Sequence, residues 1–155
     1  MNMRKICILA VLSVFFGSCN KTDKGKSLSE KEQLTDTVSK TVTLSAKPDN
    51  LKLVEIPEAL TVTMTNNTKD TITTGLNYQI EHFQNDKWER ISPDLVFHDL
   101  GYMIPFGKSE VFDVNLVKNQ INYKKGKYRI AKYYLKPDYQ TTKENINVYS
   151  EFNIE

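Results

Sequence analysis

The sequence predicts an all-β fold of about seven or eight strands, arranged as an antiparallel sandwich or a small barrel. Three observations support this prediction: apolar and polar residues alternate in short runs, turn residues separate these runs, and no convincing amphipathic helix pattern interrupts them. The chain has 155 residues, of which 39% are hydrophobic and 26% are charged, as in a single globular domain. No internal repeat indicates a solenoid or a propeller.

The first part of the chain predicts a secretory signal peptide rather than a part of this fold. A short cationic start, MNMRK, precedes an apolar run over residues 6–16. That run is well short of the roughly 20 residues that a membrane-spanning helix needs. Two small residues, Gly17 and Ser18, follow it and lead to Cys19. We therefore expect residues 1–18 to be removed on export.

The segment FFGSC resembles the bacterial lipobox, in which an apolar residue and two small residues precede a cysteine that receives a diacylglycerol. The lipobox prefers leucine where this chain has Phe16. The alternative is a signal peptide that ends beside an ordinary cysteine. Because Cys7, the other cysteine, lies in the removed segment, Cys19 has no disulfide partner in the mature chain. The resemblance implies covalent diacylglycerol and N-acyl lipid on Cys19, and no other cofactor is expected.

Lipidation of Cys19 would make the membrane a partner and place the protein in the bacterial cell envelope. Some bacteria use a dense acidic run after the lipidated cysteine for surface export, and the residues that follow Cys19 contain no such run. We therefore expect attachment to the outer membrane, facing the periplasm.

Residues 19–39 are expected to form the lipidated start of the mature chain and a disordered tether. Residues 20–39 contain only two leucines and one valine among lysine, serine, threonine and acidic residues. Such a segment cannot bury enough apolar surface to fold. The alternating pattern begins near Lys40, so the folded domain is predicted over residues 40–155.

The charge balance argues against a nucleic-acid partner. The tract YKKGKYRIAKYYLK, residues 123–136, combines lysines and tyrosines without an acidic residue. However, the chain has 21 Lys and Arg against 19 Asp and Glu, and loss of Arg4 and Lys5 with the signal peptide leaves 19 of each. The mature protein is formally neutral, so we expect no nucleic acid to bind and interpret the tract as a structural strand.

Seven strands follow from the alternation. In LTVTMT, the apolar residues Leu60, Val62 and Met64 alternate with threonines, as a half-buried strand requires. YQIEHF and KWERI flank the turn residues QND and predict a hairpin. The remaining strands are predicted at TVTLSA, VFDVNL, KYRIAKYYL and INVYSEFNIE. Strict alternation in KYRIAKYYL turns Lys132 inward beside Tyr134, which predicts a bulge, an edge position or a partner for the lysine.

Two features specify the sandwich further. The single tryptophan, Trp88, lies in the predicted hairpin. In KKGKYRI, the residues Gly126, Tyr128 and Ile130 have the spacing of a tyrosine corner: a turn, a buried ring whose hydroxyl bonds to the preceding loop, and a core contact. Immunoglobulin-like domains often have a core tryptophan and such a corner, so both features favour immunoglobulin-like topology.

The run LTVTMTNNTKDTITTGLNYQIEHFQNDKWERI, followed by GYMIPFG and by GKYRIAKYY…EFNI, resembles the bacterial immunoglobulin-like domain found in small lipoproteins. The resemblance covers residues 41–155. It implies an immunoglobulin-like β-sandwich and an anchored location. The family carries no assigned catalytic residues, so the resemblance transfers none.

The candidate catalytic and metal-binding residues form no recognisable motif. His82 and His98 lack the spacing of metal ligands, and on a strand His82 points away from the neighbouring Glu81. Asp94 and Asp99 are interpreted as turn and loop residues, although a spatial pair of carboxylates would not be visible in a sequence. We therefore predict no catalytic residue and no metal site.

GYMIPFG is the best candidate for a partner site. Tyr102, Met103, Ile104 and Phe106 form an apolar run around a proline. If these side chains are exposed, they form a patch for an envelope protein or a glycan. The alternative is that they cap one end of the sandwich.

These observations predict a membrane-anchored bacterial lipoprotein whose domain is a non-catalytic binding or structural module in the cell envelope. The alternative is a small envelope enzyme of the hydrolase type, with a site that the sequence does not reveal.

Overall fold

The computed structural model describes residues 41–155, which form a sandwich of ten strands. The predicted signal peptide (1–18) and tether (19–39), with Cys19, lie outside the described residues. The described part contains no helix that is long and apolar enough to span a membrane. The strands are β1 (Val42–Lys47), β2 (Asn50–Leu51), β3 (Ala59–Asn66), β4 (Ile72–Thr74), β5 (Gln79–Gln84), β6 (Lys87–Arg90), β7 (Tyr102–Ile104), β8 (Ser109–Asn115), β9 (Gly126–Leu135) and β10 (Asn145–Ile154). A 3-10 turn (Leu53–Glu55) and a short helix, α1 (Tyr139–Thr142), complete the described part.

The strands form two sheets. The smaller sheet has the order β1-β3-β8, and all its pairs are antiparallel. The larger sheet has the order β2-β10-β9-β4-β7, and β5 joins it by pairing with β9 and with β6. Its pairs are antiparallel except for β2 with β10, which run parallel over two residues. The predicted all-β antiparallel sandwich is thus confirmed, with one short parallel pair added.

The seven predicted strands correspond to β1, β3, β5, β6, β8, β9 and β10. The predicted total of seven or eight strands is too low for the described residues, because it omits β2, β4 and β7. These strands have only two or three residues each, too few to show an alternating pattern.

The core lies between the two sheets and is built from the inward positions of the alternating runs. The main cluster combines Leu60, Val62 and Val114 of the smaller sheet with residues of the larger sheet such as Ile130 and Phe152. All of these side chains are less than 2% exposed. A second cluster lies around Met64, Ile72, Ile104, Phe112 and Tyr134. Since the described part contains no cysteine, burial of these apolar side chains supplies most of its stability.

The predicted corner residues meet at the start of β9. The buried Tyr128 hydroxyl donates a hydrogen bond to the carbonyl oxygen of Lys124 at 2.7 Å and accepts one from the N–H of the same residue at 2.9 Å. Ile130 is fully buried in the main cluster. Gly126 has φ of +151°, and a Cβ there would lie 2.9 Å from Nε2 of His82, so only glycine fits without strain.

A bulge interrupts the strand that faces the middle of β9. Both β4 and β5 pair with β9: Tyr134 lies opposite Thr74, and Ala131 lies opposite Gln79. Two residues of β9 therefore face the four residues 75–78 of the neighbouring segment. The sequence places Lys132 at this position, and the bulge turns backbone carbonyls toward it.

Lys132 is 2% exposed and points inward, as strict alternation predicts. Its Nζ donates hydrogen bonds to the carbonyl oxygens of Gly75 at 2.8 Å and Asn77 at 3.1 Å, and it lies 4.2 Å from the centre of the Phe112 ring. Burial lowers the pKa of the Lys132 ammonium to about 8. The partners of this lysine are thus backbone dipoles and a ring face rather than a carboxylate.

Replacing Tyr128 by Phe should lower the free energy of unfolding by about 1–2 kcal/mol, because the Lys124 backbone groups lose their partner while the ring stays in place. Urea denaturation measures this change. Tyr134→Phe is the matched control: it lies on the same strand, is similarly buried, and its hydroxyl makes no hydrogen bond within residues 41–155. Equal losses in the two variants would contradict a structural role for the corner hydroxyl.

Lys132 should make stability depend on pH in the alkaline range. The native state releases the Lys132 proton near pH 8, whereas the unfolded chain holds it up to about pH 10.5, the usual lysine value. The unfolded state therefore binds more protons between these values. Relative to Lys132→Met, the free energy of unfolding of the unmodified protein should rise from pH 8 to pH 10, by at most about 1.4 kcal/mol per pH unit.

Urea denaturation at pH 7, 8, 9 and 10 tests this prediction, since tyrosine ionisation affects both proteins alike. Below pH 8 the difference between the proteins should be constant. Lys127→Met, an exposed position of the same strand, is the control and should give a profile parallel to that of the unmodified protein. A parallel profile for Lys132→Met would show that Lys132 does not titrate in this range.

Candidate functional site

A cluster of aromatic rings around one arginine lies on the outer face of the larger sheet. We call Phe83, Trp88, Arg129 and Tyr149 the outer aromatic surface. The Arg129 guanidinium carbon lies 4.4 Å from the centre of the Trp88 ring and 3.9 Å from that of Tyr149. The Phe83 and Trp88 rings are 5.1 Å apart. Phe83 and Tyr149 remain 37% and 43% exposed, so the cluster presents ring surface to solvent.

The prediction that Trp88 is a core tryptophan is wrong. Trp88 is half-buried and pairs with Phe83 across the β5–β6 hairpin. The inward positions of β5 are those of Ile80 and His82, which pack toward Ile130 and Tyr128. Because successive side chains of a strand alternate between faces, Phe83 and its partner Trp88 lie on the outer face.

Arg129 is more covered than an outward-facing arginine of a surface strand is expected to be. Its guanidinium forms an ion pair with Glu81, and the two side chains are only 18% and 14% exposed. The two rings and the carboxylate hold it from three sides. No sequence pattern predicts this contact, since it depends on the register that places Glu81 of β5 opposite Arg129 of β9.

A cavity of about 270 Å³ adjoins the outer aromatic surface. Its lining includes Ala131, which stands between the larger side chains of Arg129 and Tyr133 on the outer face of β9. Leu95 and Phe97, from the loop between β6 and β7, form a wall. The lining also includes three amide side chains, those of Asn77, Gln79 and Asn147. A surface of this kind can bind a ligand by ring stacking and hydrogen bonds.

The four residues of the predicted partner patch point in two directions. Ile104 is 1% exposed and belongs to the second core cluster, and Tyr102 packs edge-on against Phe112 with the ring centres 5.5 Å apart. Met103 and Phe106 are 75% and 64% exposed. The patch is therefore half as large as predicted, because alternation along β7 turns every second side chain into the core.

Asn66, at the end of β3, fixes the hairpin that presents Met103 and Phe106. Its side chain is fully buried and donates to the carbonyl oxygens of Asp70 and Ile104 at 2.7 and 2.8 Å. Its backbone carbonyl accepts a hydrogen bond from the N–H of Gly107 at 2.7 Å. The turn after β3 and the β7–β8 hairpin are thus tied together, so the exposed pair is held on a rigid support.

The candidate histidines and carboxylates do not form a common site. His82 stacks on Tyr128 with the ring centres 4.4 Å apart, and His98 is exposed. Asp94 forms an ion pair with Arg90 at 2.8 Å, and Asp99 is exposed. Within residues 41–155, no three His, Cys, Asp or Glu side chains are grouped as metal ligands would be.

Comparison with a family model confirms the immunoglobulin-like part of the fold prediction. No curated protein matches the sequence. Among solved structures, the chain is similar to the CsuC–CsuE chaperone–tip adhesion subunit pre-assembly complex from archaic chaperone-usher Csu pili of Acinetobacter baumannii, with 13% identity and a TM-score of 0.37. That match covers 70% of this chain and 56% of the other. The family model of the bacterial Ig-like domain matches residues 38–153. The chain therefore belongs to the bacterial Ig-like domain family.

Proposed function

We propose that this protein is a lipoprotein of the bacterial cell envelope, anchored to a membrane through Cys19, whose Ig-like domain binds a partner without catalysing a reaction. The single observation that carries the binding role is the exposed apolar pair on the β7–β8 hairpin, Met103 and Phe106. Side chains of this size, exposed by 75% and 64%, gain free energy when a partner covers them.

The hydrogen bonds that order the β7–β8 hairpin support a binding role for this pair. The hydrogen bonds of Asn66 to Ile104, and of Gly107 to Asn66, fix the backbone on both sides of Phe106 and directly after Met103. A partner would therefore bind a surface that is already ordered, and association would cost little conformational entropy. The partner that fits is an envelope protein with an apolar surface of its own.

The anchor is proposed from the sequence. The segment FFGSC places Cys19 after an apolar and two small residues. Two or three acyl chains on one cysteine hold a protein on a bilayer for long periods, since each buried CH₂ contributes about 0.8 kcal/mol. The attachment we propose is to the outer membrane, with the domain facing the periplasm.

Metabolic labelling with a fatty-acid probe tests the anchor. The full chain expressed in a bacterium should incorporate the probe and fractionate with the envelope, and Cys19→Ala should lose the label. Cys7→Ala is the matched control and should keep it, because Cys7 lies in the segment that is removed. An unlabelled mature protein would refute the lipid anchor and leave the binding role to be judged separately.

Site-specific crosslinking in intact envelopes tests the binding role. A photo-reactive amino acid at position 106 should give a discrete adduct with another protein, and substitution of Met103 by Gln should reduce its yield several-fold. The same group at Val96, which is 99% exposed on the loop between β6 and β7, is the control and should give none. Identical adducts at both positions, or none at either, would contradict a partner surface on the hairpin.

A further inference from the structure

We propose that the cavity beside Ala131, together with the outer aromatic surface, is a binding site for a neutral oligosaccharide. This site lies on the face of the larger sheet, whereas the proposed partner surface lies on the β7–β8 hairpin. The proposal therefore goes beyond the proposed function and depends on neither the anchor nor the hairpin.

The amide side chains supply the first part of the argument. Asn77, Gln79 and Asn147 line the cavity, and none of these amides makes a side-chain hydrogen bond within the part of the chain that the structure describes. Each amide offers a carbonyl acceptor and two N–H donors. Neighbouring sugar hydroxyls can both donate and accept, so three free amides around one cavity match a polyhydroxylated ligand.

The position of these amides is set by the sheet. Asn147 of β10 lies opposite Tyr133 of β9, and Gln79 of β5 lies opposite Ala131 of β9. The amides thus project from strands on either side of β9, and Ala131 leaves space between them. A ligand in this space would rest on the small side chain and be reached from both sides.

The charges of this face favour an uncharged ligand. Arg129 forms an ion pair with Glu81, and Arg90 donates to the Asp94 carboxylate. Lys132 is turned toward backbone carbonyls in the interior. Each of these cations already has partners, and Arg90, which lines the cavity, has its charge balanced by Asp94, so the site offers an anion no unpaired positive charge.

The aromatic rings supply the apolar contacts that sugars also need. Phe97 forms one wall and is braced by Tyr78, with ring centres 5.1 Å apart in an edge-to-face arrangement. Tyr133 lines the same cavity, and Trp88 and Tyr149 continue the ring surface along the face. Pyranose rings have faces of C–H groups that stack on aromatic rings, so an extended saccharide could occupy the cavity and the adjoining surface.

A peptide partner fits this site less well. Peptides commonly bind sheets by adding a strand to a free edge. Here β9 pairs with β10 along one side and with β4 and β5 along the other, and Ala131 and Tyr133 lie within that paired strand. At Ala131 and Tyr133 the site therefore offers side chains but no free backbone ladder, which favours recognition of hydroxyl groups over recognition of a peptide backbone there.

Titration of the full chain, purified in detergent, with cellohexaose, chitohexaose and maltohexaose tests the proposal. Trp88 is the single tryptophan of the protein and belongs to the outer aromatic surface, so its fluorescence should change when a ligand covers that surface. At least one of these neutral oligosaccharides should change the fluorescence saturably and give heat in calorimetry. An acidic oligosaccharide, hexagalacturonate, should bind at least about tenfold more weakly.

Paired variants locate the site. Gln79→Ala combined with Asn147→Ala should weaken binding about tenfold or more, since two amides lose their hydrogen bonds to the ligand. Asn145→Ala is the matched control, an exposed amide on the same strand and face that does not line the cavity, and should bind normally. Ala131→Leu, which fills the space between the amides, should also abolish binding.

Three results would overturn the proposal: no response to any of the neutral oligosaccharides, tighter binding of the acidic one, or equal binding by the control and the folded double variant. Far-UV circular dichroism shows that each variant is folded. The crosslink at position 106 tests the proposed function, and the oligosaccharide titration tests this proposal. Each can therefore fail without the other.

Discussion

The bulge between β4 and β5, with the Lys132 ammonium that it surrounds, is the constraint on which the rest of the domain depends. An ammonium buried without partners costs several kcal/mol, and carbonyls that leave the ladder of a sheet need another donor. Here Gly75 and Asn77 supply the carbonyls and Lys132 supplies the donor. The lysine and the bulge therefore stabilise each other: the bulge supplies the acceptors that the buried ammonium needs, and the ammonium supplies a donor to those carbonyls.

The same bulge determines where both candidate surfaces lie. On one side of it β5 pairs with β6, and on the other side β4 pairs with β7. The chain between β6 and β7 passes the bulge, which brings Leu95 and Phe97 to a cavity lined by residues 77–79. The short β7 then leads into the hairpin that exposes Met103 and Phe106. One local irregularity thus lies between the depression on the sheet face and the apolar hairpin at its edge.

The sequence allowed the architecture to be predicted much better than the surfaces. The alternation in LTVTMT and the spacing of Gly126, Tyr128 and Ile130 are local, so β3 and the corner could be derived from a single segment. The sequence also showed that strict alternation turns a charged residue, Lys132, toward the core. The nature of its partners was not visible, since the bulge arises in a different strand and carries no sequence mark of its own.

The outer aromatic surface was missed for the same physical reason. Trp88, Arg129 and Tyr149 are distant in sequence and meet only because β6, β5, β9 and β10 lie side by side in a particular register. A single tryptophan in a hairpin suggested the core, although the hairpin pairing assigns it to the outer face. Likewise, the apolar letters of GYMIPFG did not reveal that Tyr102 and Ile104 turn inward.

The distribution of polar groups with and without partners in the protein separates the structural part of this domain from the part available to a ligand. Buried polar groups such as Asn66, Lys132 and the Tyr128 hydroxyl all have hydrogen-bond partners, as folding requires. On the sheet face, the arginines are paired as well, yet the amides around Ala131 are not. Asn77, Gln79 and Asn147 are exposed to water, so folding requires no protein partner for them, and their amides can exchange water for ligand hydroxyl groups. The depression around Ala131 is therefore the part of this sheet face that is available to a ligand.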